Sequence, residues 1–126
     1  MEETLISLET AKLAKKCKFN VPCKKYYLEG VLIDEWGALI SNDALLKDDN
    51  YSAPTQALLA KWLRDLYHLH ITIFSQSQKS WQFHITEPHQ SLEETKLYED
   101  YGSYEEALED ALKESLVIII KENRIK

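Results

Sequence analysis

The sequence predicts an α+β fold: a small antiparallel or mixed sheet that includes a β-hairpin, at about residues 70–75 and 81–86, packed against three helices near 7–18, 53–68 and 103–120. Two neighbouring runs of apolar alternation predict the hairpin, and three apolar stripes at helical spacing, each behind a candidate capping serine, predict the helices. With 126 residues, 44% hydrophobic and 29% charged, the chain is read as one domain over 1–126, able to close a core without disulfide or metal support.

Ser7 can cap the first helix, which runs to about Lys18 with Leu8, Ala11 and Ala14 on one side. Lys12, Lys15, Lys16 and Lys18 crowd its end, where cations favour the negative pole of the helix dipole. Asn20 and Pro22 stop it, and Tyr26, Tyr27 and Leu28 begin extended structure that continues through Val31, Leu32 and Ile33 across a Glu29-Gly30 turn. From Trp36 to Asn50 the apolar residues keep no period, which reads as a loop with short turns. Ser52 and Pro54 then fit the entry of the second helix, whose stripe of Leu58, Leu59, Trp62, Leu63 and Leu66 lasts to about His68.

In the hairpin, Ile71 and Ile73 alternate with His70, Thr72 and Phe74, and the alternation resumes with Trp81, Phe83 and Ile85. Opposed residues of an antiparallel pair share a face, so setting the isoleucines across from Phe83 and Ile85 requires an odd connection of about five residues. Ile71 then faces Ile85, and Ile73 faces Phe83. The polar stretch from Glu87 to Gly102 contains Pro88 as a breaker and is read with a short turn of helix around Leu92 to Tyr98. Ser103-Tyr104-Glu105-Glu106 has the spacing of a capping box, with the glutamate expected to reach back to the serine N–H. The stripe of Ala107, Leu108, Ala111, Leu112, Ser115, Leu116 and Ile119 carries the third helix to about Ile120.

The net charge is −6, and it is uneven: residues 1–47 hold seven basic and seven acidic side chains, residues 91–126 five and ten. Acidity at the C-terminal end repels polyanions, so nucleic acid is a partner only through the neutral N-terminal part. The opening residues lack the basic start and cleavage site of a signal peptide, and no apolar run approaches the ~20 residues that span a bilayer. No membrane partner is expected. With only Cys17 and Cys23 to pair, reduced thiols in the cytoplasm are the expected state.

At Tyr51-Ser52-Ala53-Pro54-Thr55-Gln56, then Leu58-Leu59, Lys61-Trp62-Leu63-Arg64 and His70-Ile71-Thr72-Ile73, the chain resembles a group of small uncharacterised bacterial proteins found in prophage-like regions. Ser7-Leu8-Glu9-Thr10-Ala11-Lys12-Leu13-Ala14 and Tyr104-Glu105-Glu106-Ala107-Leu108-Glu109 carry the same likeness, which thus covers most of the chain. The resemblance implies a phage or mobile-element accessory protein. It supplies no catalytic or binding residue.

Each chemical constellation has a plain structural counterpart. Cys17 and Cys23 have lysine neighbours that can lower a thiol pKa, but both suit apolar packing, and no histidine lies nearby in sequence. His70 and His84 share the polar hairpin face as diagonal neighbours, with His68 at the helix exit, but nothing completes a ligand set, so no metal is predicted. The pairs Asp34-Glu35, Asp48-Asp49 and Glu105-Glu106 fit turns and caps better than acid–base work. No glycine-rich phosphate loop occurs among the three glycines, and no cofactor is implied.

The aromatic residues are the most suggestive group. Tyr26, Tyr27, Trp36, Trp81, Tyr98 and Tyr101, with Tyr51 and Tyr104, are of the types that line apolar yet wet surfaces, although they also serve as core and rim packing. The leading reading is therefore a non-enzymatic module acting on a protein partner or on itself through these aromatics. The alternative is a nucleic-acid-associated module using the Lys12–Lys25 cluster, chiefly Lys15, Lys16, Lys24 and Lys25, and the second alternative a small enzyme with Cys23 as nucleophile.

Overall fold

A computed structural model describes residues 3–34, 39–45, 47–77, 80–87, 93–95 and 100–126, with the backbone alone at 76 and 93–95. The order is α1 (Leu8–Lys16), β1 (Lys25–Leu28), β2 (Val31–Asp34), a short 3-10 turn at Asn42–Ala44, β3 (Tyr51–Ser52), α2 (Gln56–Tyr67), β4 (His70–Ser77), β5 (Ser80–Thr86), β6 (Glu93–Thr95) and α3 (Tyr104–Lys121). This is the predicted α+β class with its three helices and its hairpin. The strands divide between two antiparallel sheets, ordered β2-β1-β3 and β4-β5-β6. The chain forms two compact units, Met1–Thr55 with Leu116–Lys126, and Gln56–Ser115.

In the first unit Ser7 caps α1, its side chain accepting from the Thr10 N–H at 3.2 Å. Lys18, rather than Asn20 or Pro22, ends the helix: it turns into the left-handed region at φ 67°, and the Phe19 N–H returns to the Ala14 carbonyl at 3.0 Å. Phe19 is thereby buried beside Ala11, Ala14 and Cys17 in sequence, and these join Ile6, Tyr26 and Ala53 among the buried side chains of this unit. β1 and β2 form a hairpin closed by Glu29 and Gly30, both at positive φ (50° and 83°), the conformation of a two-residue turn whose twist matches its strands.

The stretch read as a loop is tied down by side chains. Buried Asn42 donates to the Phe19 carbonyl at 2.6 Å and accepts from the Ser52 N–H at 2.8 Å, linking the exit of α1 to β3. Asn20 and Asp43 exchange two further bonds of 2.8 Å, and Ile40 and Cys23 pair through their backbones. Ser52 therefore does not cap α2. It lies in β3 opposite Tyr26, its N–H is taken by Asn42, and the helix begins four residues later at Gln56.

In the second unit the buried line of α2 is Gln56, Leu59, Leu63 and Tyr67, so Leu58, Trp62 and Leu66 flank the stripe instead of forming it. Gln56 holds the start of that line, donating to the Glu105 carbonyl and the Glu109 carboxylate, each at 3.0 Å. The hairpin register is the predicted one: Ile71 faces Ile85, Ile73 faces Phe83, and five residues separate the paired Ser75 and Trp81. Only two residues separate Ser77 from Ser80, so a tight turn alone would put the isoleucines on the wrong face; a register shift between Ser75 and Ser77 restores the parity.

The turn of helix expected around 92–98 is contradicted at 93–95, which pair with β5 as the strand β6. α3 starts behind Ser103, whose hydroxyl accepts from the Glu106 N–H at 3.1 Å, but Glu106 reaches the Gly102 N–H at 3.0 Å instead of the serine's own. Ala107, Leu108, Ala111, Leu112, Ser115, Leu116, Ile118 and Ile119 form its buried stripe. All three helices end in a non-glycine residue at positive φ (Lys18, His68, Asn123), each followed by an N–H that reaches back five or six residues.

Candidate functional site

The thiols are enclosed. Cys17 donates to the Leu116 carbonyl at 3.7 Å and Cys23 to the Val21 carbonyl at 3.2 Å, and burial pushes each pKa up to about 11. A thiol held protonated in this way lacks the thiolate a nucleophile needs, and the lysines near Cys23 do not reverse the effect of burial. His70 and His84 are diagonal neighbours, opposite Thr86 and Thr72 respectively. Among the described residues no group of three or more histidine, cysteine or acidic side chains could hold a metal ion.

The lysine cluster is divided by the fold. Lys15 donates to the carbonyls of Lys47 (3.0 Å) and Asn50 (2.8 Å) and lies 5.4 Å from the centre of the Tyr51 ring. Its charge thus serves to close the 47–50 turn onto α1. Lys25 pairs across the sheet with Asp34 at 3.6 Å, while Lys16 and Lys24 are exposed. The first unit, which carries all four, has ten basic and ten acidic residues and hence no net charge to offer a polyanion.

The aromatic residues separate into two places. Tyr26 is buried and belongs to the core. Tyr27, its neighbour on the other face of β1, is half-buried, donates from its hydroxyl to the Ile6 carbonyl at 2.8 Å, and stands opposite both Tyr51 and Leu32. Trp36 and Tyr98 lie outside the described residues. In the second unit Trp81 and Tyr101 exchange two backbone bonds of 3.1 Å, which draws the residues before α3 alongside β5. Trp81 shares a strand face with buried Phe83 and Ile85 but sits at the outer end, where its ring meets the exposed Tyr104 edge-on, 5.9 Å between centres and 89° between planes. Tyr101 packs against Phe83 and donates its hydroxyl to Asp110, while Ser80 donates to Asp100 at 2.6 Å.

No family model matches the chain, and no curated protein or solved structure matches it either. The surface features must therefore speak for themselves.

One of them is absent from the sequence-based candidates. β2 is one of the two outer strands of its sheet, and it leaves Val31 60% and Leu32 45% exposed. Residues Leu28 and Val31 close a two-residue turn and so exchange hydrogen bonds, which makes Tyr26 and Ile33 the next bonded pair. The bond from the Ala53 N–H to the Lys25 carbonyl, 2.9 Å, fixes the same parity from the other side of β1. Leu32 and Asp34 consequently turn their N–H and C=O groups away from β1, along the outer edge. Tyr27 is a sequence-based candidate on this surface, whereas Val31, Leu32 and Ile33 read from the sequence only as extended structure.

Proposed function

We propose that this chain is a non-enzymatic protein-interaction module that takes an extended segment of a partner protein as an added strand beside β2. The observation that carries the reading is an outermost strand with two adjacent apolar side chains exposed, Val31 at 60% and Leu32 at 45%. Native proteins blunt such edges with charge, proline or a bulge, and an apolar edge left open is a template for strand addition. Tyr27, opposite Leu32, extends the apolar surface inward from the edge.

An extended segment suits this edge better than a second copy of the chain. Four residues per side bury far less than the roughly 1,200 Å² of a stable dimer, whereas a peptide strand gains main-chain hydrogen bonds from Leu32 and Asp34 and side-chain contact with Val31 and Leu32. The resemblance to proteins of prophage-like regions supports an accessory role in a mobile element, and two buried free thiols support the reducing cytoplasm as its place.

The test is affinity capture from the native host with three baits: the wild-type chain, Leu32→Pro and Val31→Lys. A partner retained by the wild type and lost by both variants, each still folded, is the expected result. Capture that both variants preserve, or an empty capture from a strictly monomeric protein, contradicts the reading.

A further inference from the structure

Each cross-strand row of the first unit's sheet ends at β2 in a chemistry of its own. Opposed residues of an antiparallel pair share a face, so the register defines the rows. On one face Tyr51, Tyr27 and Leu32 stand side by side, and the next row on that face sets Lys25 beside Asp34. On the other face Leu28 stands beside Val31, and the row after it holds Ser52, Tyr26 and Ile33. The rows therefore reach the edge as an exposed leucine, a carboxylate, an exposed valine and a half-buried isoleucine.

Asp34 is the one charge on this strand. Its Oδ2 lies 3.6 Å from the Lys25 Nζ, yet its side chain stays 64% exposed, and among the described residues Lys25 is the only group paired with that carboxylate. Lys25 reaches it from β1, so a cation on an added strand approaches from the other side. Antiparallel pairing is the mode of every strand pair in both sheets and the more stable per residue. Leu32 and Asp34 turn their N–H and C=O groups outward, so in that mode each exchanges two hydrogen bonds with one partner residue, whose side chain stands directly beside its own. Chain direction then sets the order: the partner residue opposite Asp34 comes first, and those opposite Ile33, Leu32 and Val31 follow. Apolar side chains opposite Leu32 and Val31 extend the burial of both, and a cation opposite Asp34 completes a row of alternating charge that an acid would turn into repulsion.

We infer that the β2 edge selects an extended segment that runs antiparallel to it in the order basic, any, apolar, apolar, with the lysine or arginine opposite Asp34. The inference rests on the strand-addition reading and adds to it the partner's sequence chemistry and its direction. The charge preference sits at an exposed pair, so it is small and falls as salt rises, while the main-chain and apolar part of the affinity does not.

The test titrates capped peptides of equal length into the full chain at low salt and follows the backbone amide signals of Leu32 and Asp34 by NMR. The peptides differ only at their centre, which is Lys-Thr-Val-Val, the same with glutamine or glutamate in place of lysine, or the reversed Val-Val-Thr-Lys. The lysine peptide binds about threefold more tightly than the glutamine peptide and about tenfold more tightly than the glutamate peptide, and the forward order binds more tightly than the reversed one. Asp34→Asn, an exposed change that keeps the backbone pairing to β1, brings the lysine and glutamine peptides level, and Asp34→Lys makes the glutamate peptide the tighter of the charged pair. High salt erases the preference. Equal affinity of the lysine and glutamine peptides, a lysine preference that survives Asp34→Asn, or tighter binding of the reversed peptide overturns this inference and leaves the open edge standing. No shift of either amide with any of the peptides, in a chain that is folded by circular dichroism, overturns the edge along with it.

Discussion

Proline substitutions at two adjacent residues test the parity of β2, on which the docking edge depends. Ile33 pairs with Tyr26 in a hydrogen-bonded pair, so Ile33→Pro removes a ladder donor and drives its ring against β1. The expected cost is about 3 kcal/mol. Leu32 turns its N–H outward, so Leu32→Pro breaks no bond to β1; it forfeits the packing of a side chain already 45% exposed and tightens φ, for about 1 kcal/mol. At about 4 °C per kcal/mol for a chain of this size, the first variant melts about 12 °C below wild type and the second about 4 °C below. Urea and thermal denaturation followed by circular dichroism measure both. Equal losses, or a larger loss for Leu32→Pro, would show that Val31 and Ile33 carry the outward groups and would remove the edge as described.

Three further outcomes follow from the fold. Asn42→Ala leaves the Phe19 carbonyl and the Ser52 N–H without their side-chain partner in a buried position, and denaturant unfolding should register a loss of about 2–3 kcal/mol; a loss under about 0.5 would detach the 42–44 turn from the core. Burial raises both thiols to about 11, above their ordinary 9.0, so the stability due to the neutral thiols is complete below about pH 9 and is lost as pH rises toward about 11. Near pH 8 a maleimide should label either cysteine only at the rate of unfolding, and fast native labelling of Cys23 would restore it as a nucleophile. Lys18→Gly relieves a left-handed residue at φ 67° and should stabilise the chain by about 1 kcal/mol in the same urea assay, where destabilisation would refute the strained ending of α1.

The elements with two agreeing signals were legible in the sequence. Ser7 and Ser103 are followed by apolar stripes and cap their helices, and the facing alternations at 71–73 and 83–85 determine the hairpin register. Where one residue type suits two structures, local reasoning chose the commoner. Ser52 before Pro54 has the form of a helix cap, but its N–H donates to the Asn42 side chain, ten residues earlier, and it pairs with Tyr26 in a strand. The polar stretch at 93–95 has no apolar alternation of its own and becomes a strand through backbone pairing to β5.

The candidate surfaces were legible only in part, because exposure is a property of neighbours that are distant in sequence. Tyr26 and Tyr27 are adjacent and chemically alike, yet the pleat sends the first into the core and leaves the second half-buried. Lys15 and Lys25 looked available beside Lys16 and Lys24 until the 47–50 turn and Asp34 were placed against them. Val31 and Leu32 had no polar partners in sequence to mark them as exposed. What marks them is their exposure on β2, one of the two outer strands.

Amide hydrogen exchange on the chain, free and with the captured partner bound, tests strand addition most directly. The account predicts that the amides of Leu32 and Asp34 exchange readily in the free chain and become protected on binding, while those of Val31 and Ile33 are already protected by β1. Protection that appears elsewhere and leaves Leu32 and Asp34 unchanged would contradict it.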